Sequence, residues 1–343
     1  MVTIKDIAKR AQVSVSTVSY AINGKRPISE ETRQRIFAAI DELGYRPNAM
    51  ARGLASKNTH IIALLFPDHG VGLGATALSF FFSTAKKARA LGYNLVLWPT
   101  VIHAKELGEQ LQQGLVDGIV VMEVAIHDER VDYLRKAGFP FSMIGRTGDN
   151  EGLRYVDFDI RQSIHDAVNY LIGLGHQHIA FINSNKREDD IEHGPSVRSQ
   201  DAFLEIVRTV GVESLICSAE CAPKAGYDVF NSLIEKDPEL TALVTINDYA
   251  APGIVQAITD RGWTIPQDFS IIVGPTSVDM AEMVIPPLTS IDIPINEMSS
   301  WGVELLINQL ENHESIECSQ ILIPCELIVR GSTGPVREKE VKR

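Results

Sequence analysis

In the first sixty residues, apolar positions recur at helical spacing in three short blocks. Within "TIKDIAKRA", Ile4, Ile7, Ala8 and Ala11 share one face, and Thr3 with Asp6 forms a capping pair at its start. "SVSTVSYAIN" turns Val18, Ala21 and Ile22 inward behind a Ser14 N-cap. "SEETRQRIFAAIDELGY" starts at Ser29, carries two glutamates in its first turn, and turns Ile36, Phe37, Ile40 and Leu43 to the same core. Only "AQVS" links the first two helices, so they cross steeply, as in a helix-turn-helix. From His60 onward the pattern changes. "IIALLF", "YNLVLWP", "GIVVME", "FSMIG", "YVDFDI", "HIAFIN", "ALVTIN" and "FSIIVG" predict buried parallel strands, with amphipathic helices between them. Such alternation implies two doubly wound sheets or a barrel. "PPLTSIDIP" and "SQILIPCELIVRGST" break the series as returning crossovers and edge strands, which suits two lobes joined by several chain passes. The predicted fold is therefore multidomain: an N-terminal all-α helix-turn-helix head and an α/β core whose returning passes suit two doubly wound lobes.

Between head and core lies "RPNAMARGLAS", residues 46–56. Ala49, Met50, Gly53 and Leu54 fall along one side at helical spacing, and Arg46, Arg52 and Lys57 crowd around it. An isolated helix this short is marginal in water, and Gly53 weakens it further.

Composition bounds the function. The 343 residues suit two or three domains, and no apolar run approaches the length that crosses a bilayer. The N-terminus lacks the layout of a secretory signal. Cys217, Cys221, Cys318 and Cys325 lack zinc or redox spacing and are expected as reduced thiols, which points to the cytoplasm. The net charge of −12 splits into +5 on residues 1–58 and −17 on the remainder. A basic head on an acidic body is the distribution expected when only the head meets a polyanion. The second helix would present Val15, Ser16 and Tyr20 to base edges in a major groove, with Thr17, Ser19, Asn23 and Lys25 meeting phosphates.

The run "VTIKDIAKRAQVSVSTVSYAING" followed by "RPNAMARGLAS" resembles the lactose-repressor (LacI/GalR) family of bacterial transcription regulators. The resemblance implies a DNA-binding head over residues 1–58, including a hinge helix at about 47–56 that folds against its partner's hinge on the operator. Leu54 would wedge into the central base step, with Ala55 beside it, and Thr3, Asn48, Ala51 and Arg52 join the contacts. The physics is compatible. A helix too weak to stand alone can form once a partner and a groove supply its contacts. An apolar wedge bends the duplex at a cost recovered through wider contact. Two-fold symmetry would match a homodimer to a near-palindromic operator in double-stranded DNA.

"DFDIRQSIHDAVNYLIGLGHQHIAFI", "NDYAAPG", "PPLTSI" and "LIVRGST" resemble, in order, segments of the same family's periplasmic-binding-protein-like core. This implies a core over residues 59–335, with an N-lobe of about 60–157 and 290–318, a C-lobe of about 158–289 and 319–335, and a charged tail at 336–343. With no leucine-heptad extension, a dimer rather than a tetramer is implied. A small-molecule effector, expected as a mono- or disaccharide, would bind between the lobes at the carboxyl ends of strands. Its candidate contacts are Asp68, His69, Arg146, Arg198, Asn247 and Thr276, while Asp248 could cap the next helix. Three departures from the family pattern bear on that site. Thr276 in "GPTSVD" stands where an effector-binding aspartate often sits, "GLGATALS" replaces the usual Asn-Pro-Phe-Phe segment, and Arg198 stands one place early.

Rival readings fare worse. "GVGLGA" fits a dinucleotide fingerprint, but the following strand ends "LVLWPT" without the acid a ribose needs. His176 and His178 lack a third metal ligand nearby and read as structural. No Gly-x-Ser-x-Gly elbow or His-Glu-x-x-His is present, so neither an enzyme nor a cofactor or metal is expected. A sugar-binding protein without a DNA role would share the core but not the head.

Overall fold

A computed structural model describes residues 2–23, 27–45, 58–66, 74–99, 104–185, 192–311 and 319–337. The chain divides into two compact units, Met1–His60 and Ile61–Arg343.

The first unit holds α1 (Ile4–Ala11), α2 (Val15–Asn23) and α3 (Glu30–Leu43). Its helix starts are those the sequence signals. The Thr3 backbone N–H donates to Asp6 Oδ2 at 2.9 Å, and the Thr17 N–H donates to Ser14 Oγ at 3.1 Å. The Thr32 N–H donates to Ser29 Oγ at 3.3 Å, and Gly44 closes α3 in the left-handed conformation at φ 62°. Ile7, Ala8, Ala11, Val18, Ile36 and Ala39 form the core. Phe37, expected inside, is instead exposed, with the Arg33 guanidinium 5.8 Å from its ring centre. At 3.6 residues per turn a face centred on 36, 39, 40 and 43 leaves position 37 turned aside.

The second unit holds two six-stranded sheets. The first lobe contains β1 (Ile61–Phe66), α4 (Ala75–Ala90), β2 (Asn94–Pro99), α5 (Ala104–Leu111), β3 (Gly118–Val121), α6 (Glu129–Ala137), β4 (Phe141–Ile144) and β5 (Tyr155–Phe158). The second contains α7 (Ile160–Gly173), β6 (His178–Asn185), α8 (Gly194–Val210), β7 (Glu213–Glu220), α9 (Pro223–Lys236), β8 (Ala242–Thr245), α10 (Ala251–Asp260), β9 (Ser270–Thr276), α11 (Val278–Ala281) and β10 (Thr289–Asp292). The chain then returns to the first lobe through α12 (Ile295–Leu310) and β11 (Gln320–Ile323), and ends on the second sheet with β12 (Glu326–Ile328). Strand order is β11-β5-β4-β3-β1-β2 in one sheet and β12-β10-β9-β8-β6-β7 in the other. Among the described residues only β12 runs antiparallel to its neighbour, so both faces of each sheet must be covered by helices.

The final passes differ from the expected lobe division. Residues 320–323, placed by sequence in the C-lobe, extend the first sheet through Gln320↔Tyr155 and Ile323↔Phe158, and β10 belongs to the second sheet beside β9. Strand β7 was not anticipated. It is an edge strand, half-buried through much of its length, so it lacks the apolar run of an internal strand.

Candidate functional site

Strands β1, β3, β4 and β5 of the first lobe and β6, β8 and β9 of the second end around a cavity of about 390 Å³. Most of its described wall is apolar, including Phe66, Phe80, Met122, Phe158, Ile246 and Met298. Polar groups come from Thr76, Glu123, Asp157, Ser184, His193, Ser196, Ser199, Asp248 and Tyr249.

The loop after β3 builds one side. Arg130 on α6 is 1% exposed, and its Nε and Nη2 donate to Asp128 at 2.9 and 2.7 Å. The same Nη2 donates to the Met122 and Glu123 carbonyls at 3.1 and 3.0 Å. Burial raises the Asp128 pKa, but the hydrogen bond and charge of Arg130 outweigh it and hold the carboxyl below its ordinary value. The loop then pairs across to the second lobe. The Ile126 N–H donates to the Glu192 carbonyl at 2.8 Å, the Gly194 N–H to the Val124 carbonyl at 3.1 Å, and His193 Nε2 stands 2.8 Å from Glu123 Oε2. A Cβ at Gly194 would lie 2.8 Å from the Val124 carbonyl oxygen, so only glycine permits this approach. Opposite, Thr76 at the start of α4 donates to Ser277 Oγ at 3.0 Å and accepts from its backbone N–H at 3.2 Å.

Asp157, at the end of β5, is 3% exposed. Burial raises its pKa to about 6, against the opposing pull of Arg198 and Arg146. Because this value lies above the ordinary 3.8, its contribution to stability is full below pH 3.8 and is lost as pH rises through about 6. A carboxyl-carbon NMR titration should find its midpoint near 6; an ordinary carboxylate midpoint would mean that the site is wetter than its packing shows.

In the head, α2 leaves Val15 42% exposed and Ser16 exposed, with Thr17, Ser19 and Tyr20 half-buried. Val18, at 0% exposure, anchors the helix from behind. Ser14 Oγ lies 2.7 Å from Ser16 Oγ and 2.8 Å from Thr17 Oγ1, so hydroxyls cluster at the helix start. The result is a short helix with small, hydrogen-bonding residues on its free side, a shape that a major groove admits.

The description "Bacterial regulatory proteins, lacI family" matches residues 3–48, and "Periplasmic binding protein-like domain" matches residues 168–333. Catabolite control protein A of Priestia megaterium is 31% identical over 339 residues, spanning 97% of this chain and 99% of that protein. The chain belongs to the lacI family of bacterial regulatory proteins. It is a DNA-binding transcription regulator. Among solved structures, the transcriptional regulator CelR–cellobiose complex aligns with a TM-score of 0.71 at 24% identity, over 97% of this chain and 100% of that one. The lac repressor dimer bound to operator and the anti-inducer ONPF aligns at 0.84 and 21%, over 97% and 99% of the two chains. These two likenesses are likenesses of fold.

Within this lacI-family core, the polar residues singled out by sequence stand behind the cavity wall. Arg198 Nη2 donates to the Arg146 and Thr147 carbonyls at 2.6 and 3.0 Å, while Arg146 Nε stands 3.2 Å from Asp157 Oδ2. Asn247 donates to the Ala219 and Glu220 carbonyls at 2.8 and 3.0 Å and accepts from the Ala250 N–H at 3.2 Å. It ties the end of β8 to that of β7. Thr276 donates to Asp248 Oδ2 at 2.8 Å. Asp248 thus holds that hydroxyl and borders the cavity. Asp157, Glu123 and His193 escaped the sequence reading, although Asp157 in "YVDFDI" is an acid at the carboxyl end of a predicted strand. Asp68 and His69 lie outside the described residues, as do Lys25, Asn48, Ala51, Arg52, Leu54, Ala55 and Cys318. Asn23 closes α2. His176 is bound to Thr241, Ser270 and the Gly334 carbonyl at 2.9–3.1 Å, the structural use expected of it.

Proposed function

We propose that this regulator is a homodimeric repressor that reads a near-palindromic operator and whose DNA affinity is set by a small molecule held between the lobes of its core. The observation that carries the reading is α2: a capped helix anchored by Val18, with Val15 and Ser16 exposed and Thr17, Ser19 and Tyr20 half-exposed, the side we read as facing DNA. Thr3, Thr17, Ser19, Asn23 and Lys25 fix its register on the backbone, and the stretch from Asn48 through Ala51, Arg52, Leu54 and Ala55 enters the minor groove. It acts by binding in the cytoplasm rather than by catalysis. Among the described residues, no helix is long and apolar enough to cross a membrane.

Tyr20→Ala should relax base preference at one symmetric pair of operator positions, costing about 1–3 kcal/mol there. Comparison of the sequences selected by the two proteins checks this; an identical consensus from both would remove Tyr20 from readout.

Dimerisation is supported by an apolar surface on the core. Phe82 on α4 is 66% exposed, and Val278, Met283 and Ile285 near α11 are 46%, 66% and 91% exposed. Patches of this kind mark interaction sites. In sedimentation at micromolar concentration, Phe82→Glu should shift the protein from dimer towards monomer, and an unchanged dimer would place the interface elsewhere.

The cleft responds to its ligand by favouring one closure of the lobes over another, which is how a small molecule alters operator affinity. Arg146, Arg198, Asn247 and Thr276 serve this site by holding its wall, and Asp68 and His69 belong to the segment after β1.

A further inference from the structure

The second lobe grips the first through the start of α8, and the atoms it grips are main chain. Gly194 opens that helix and Arg198 follows one turn later, so the two share a face. The Gly194 N–H donates to the Val124 carbonyl at 3.1 Å, and Arg198 Nη2 donates to the Arg146 and Thr147 carbonyls at 2.6 and 3.0 Å. These acceptors belong to one surface of the first lobe, because the Gly148 N–H donates to the Ile126 carbonyl at 2.8 Å and joins the loop after β4 to the loop after β3. The first lobe answers with the Ile126 N–H, which donates to the Glu192 carbonyl at 2.8 Å, and Ala125 pairs antiparallel with His193. Arg198 Nη1 also stands 3.9 Å from Asp157 Oδ2, which lies 3.2 Å from Arg146 Nε. One buried carboxylate thus serves a guanidinium from each lobe.

We infer that Gly194 and Arg198 form a latch that biases the two lobes towards closure, with Arg198 a positioning residue between the lobes rather than a contact of the ligand. The inference rests on the reading of the cleft as the effector site and names what balances its opening. On opening, each bond across the lobes is exchanged for bonds to water, so each contributes modestly. Those of Arg198 have an ionised donor and are the strongest of the set. Opening would also leave Asp157 with Arg146 and without Arg198. Gly194 acts by having no side chain. It is an ordinary helical residue at the first position of α8, so its own lobe tolerates alanine there. The obstacle lies across the cleft. A Cβ would stand 2.8 Å from the Val124 carbonyl oxygen and 2.6 Å from Arg198 Nη1, and the carbonyl is main chain that yields only if the lobes part. A ligand shifts this balance by as much as its affinities for the latched and unlatched forms differ.

Amide hydrogen exchange of the full-length protein, read by mass spectrometry, tests the latch, with a melting curve for each variant. The deciding position is Ser277 on the opposite rim, whose N–H donates across the lobes to Thr76 Oγ1 at 3.2 Å. Arg198→Ala and Gly194→Ala should each speed exchange at Ser277 and at Ile126 about tenfold, while the amides of β8 exchange as before. Arg198→Lys, which keeps a charged donor, should fall between Arg198→Ala and the parent. Arg208→Ala, at an exposed position of the same helix, should leave the pattern unchanged. Unchanged exchange at Ser277 in either alanine variant would show that α8 only anchors the loops beside it, and would overturn the inference. A uniform rise that includes β8 would overturn it too, since the loss would then be one of core stability. Operator affinity of the same preparations separates the two readings. Release at Ser277 with operator affinity unaltered leaves the latch standing and overturns the reading that closure sets DNA affinity. Operator selected by the parent protein, with no release at Ser277 in the variants, overturns the latch alone.

Discussion

Arg130→Ala is expected to destabilise the core by about 3–5 kcal/mol, the range found when one partner of a buried ion pair is removed. Asp128, 2% exposed, would keep the backbone N–H bonds from Ala125 and Arg130 at 3.1 and 3.0 Å, but would lose the guanidinium that neutralises it. The Met122 and Glu123 carbonyls would lose their shared donor as well. Urea unfolding monitored on the core checks the number, and a loss below about 1 kcal/mol would mean that water replaces the guanidinium freely. The double variant Arg130→Met with Asp128→Leu should recover much of the loss, since a buried pair exchanged for apolar side chains is often neutral. Function should suffer along with stability. The loop that Arg130 pins carries Glu123 and Val124 to the cavity wall and pairs with His193 across the lobes.

Val18→Asp is the second large effect, and it falls on the head alone. Val18 is fully buried among Ile7, Ala11 and Ile36, and a carboxylate placed there costs several kcal/mol or must take up a proton. A unit as small as Met1–His60 has little stability to spare. The head should unfold and operator affinity should fall to the non-specific level, a loss of about a thousandfold or more. The thermal transition of the core should stay in place. Retained specific binding would show that α2 is not held to its neighbours as described.

Much of this arrangement was legible because local signals and burial agree. Thr3, Ser14 and Ser29 each start a helix, and the apolar runs from "IIALLF" to "FSIIVG" become parallel strands, buried except for β2, which lies at a sheet edge and is only half-buried. The strand order at the last passes was not legible, since Gln320–Ile323 and Glu326–Ile328 are short, similar in composition and adjacent, and only pairing tells which sheet takes each. The cavity was legible in place but not in detail. Residue type shows that Arg198 and Asn247 can hydrogen-bond; it does not show that backbone carbonyls of Arg146, Thr147, Ala219 and Glu220 have already claimed them.

The central claim is that the head reads a two-fold operator. Selection from a pool of random duplex DNA at a fixed, stated salt concentration tests it most directly, because phosphate contacts make affinity depend on salt. The account predicts enrichment of a near-palindrome with two half-sites and a deformable central step, the signature of paired heads with a wedge between them. Recovery of sequences with no shared motif by folded, dimeric protein would contradict it.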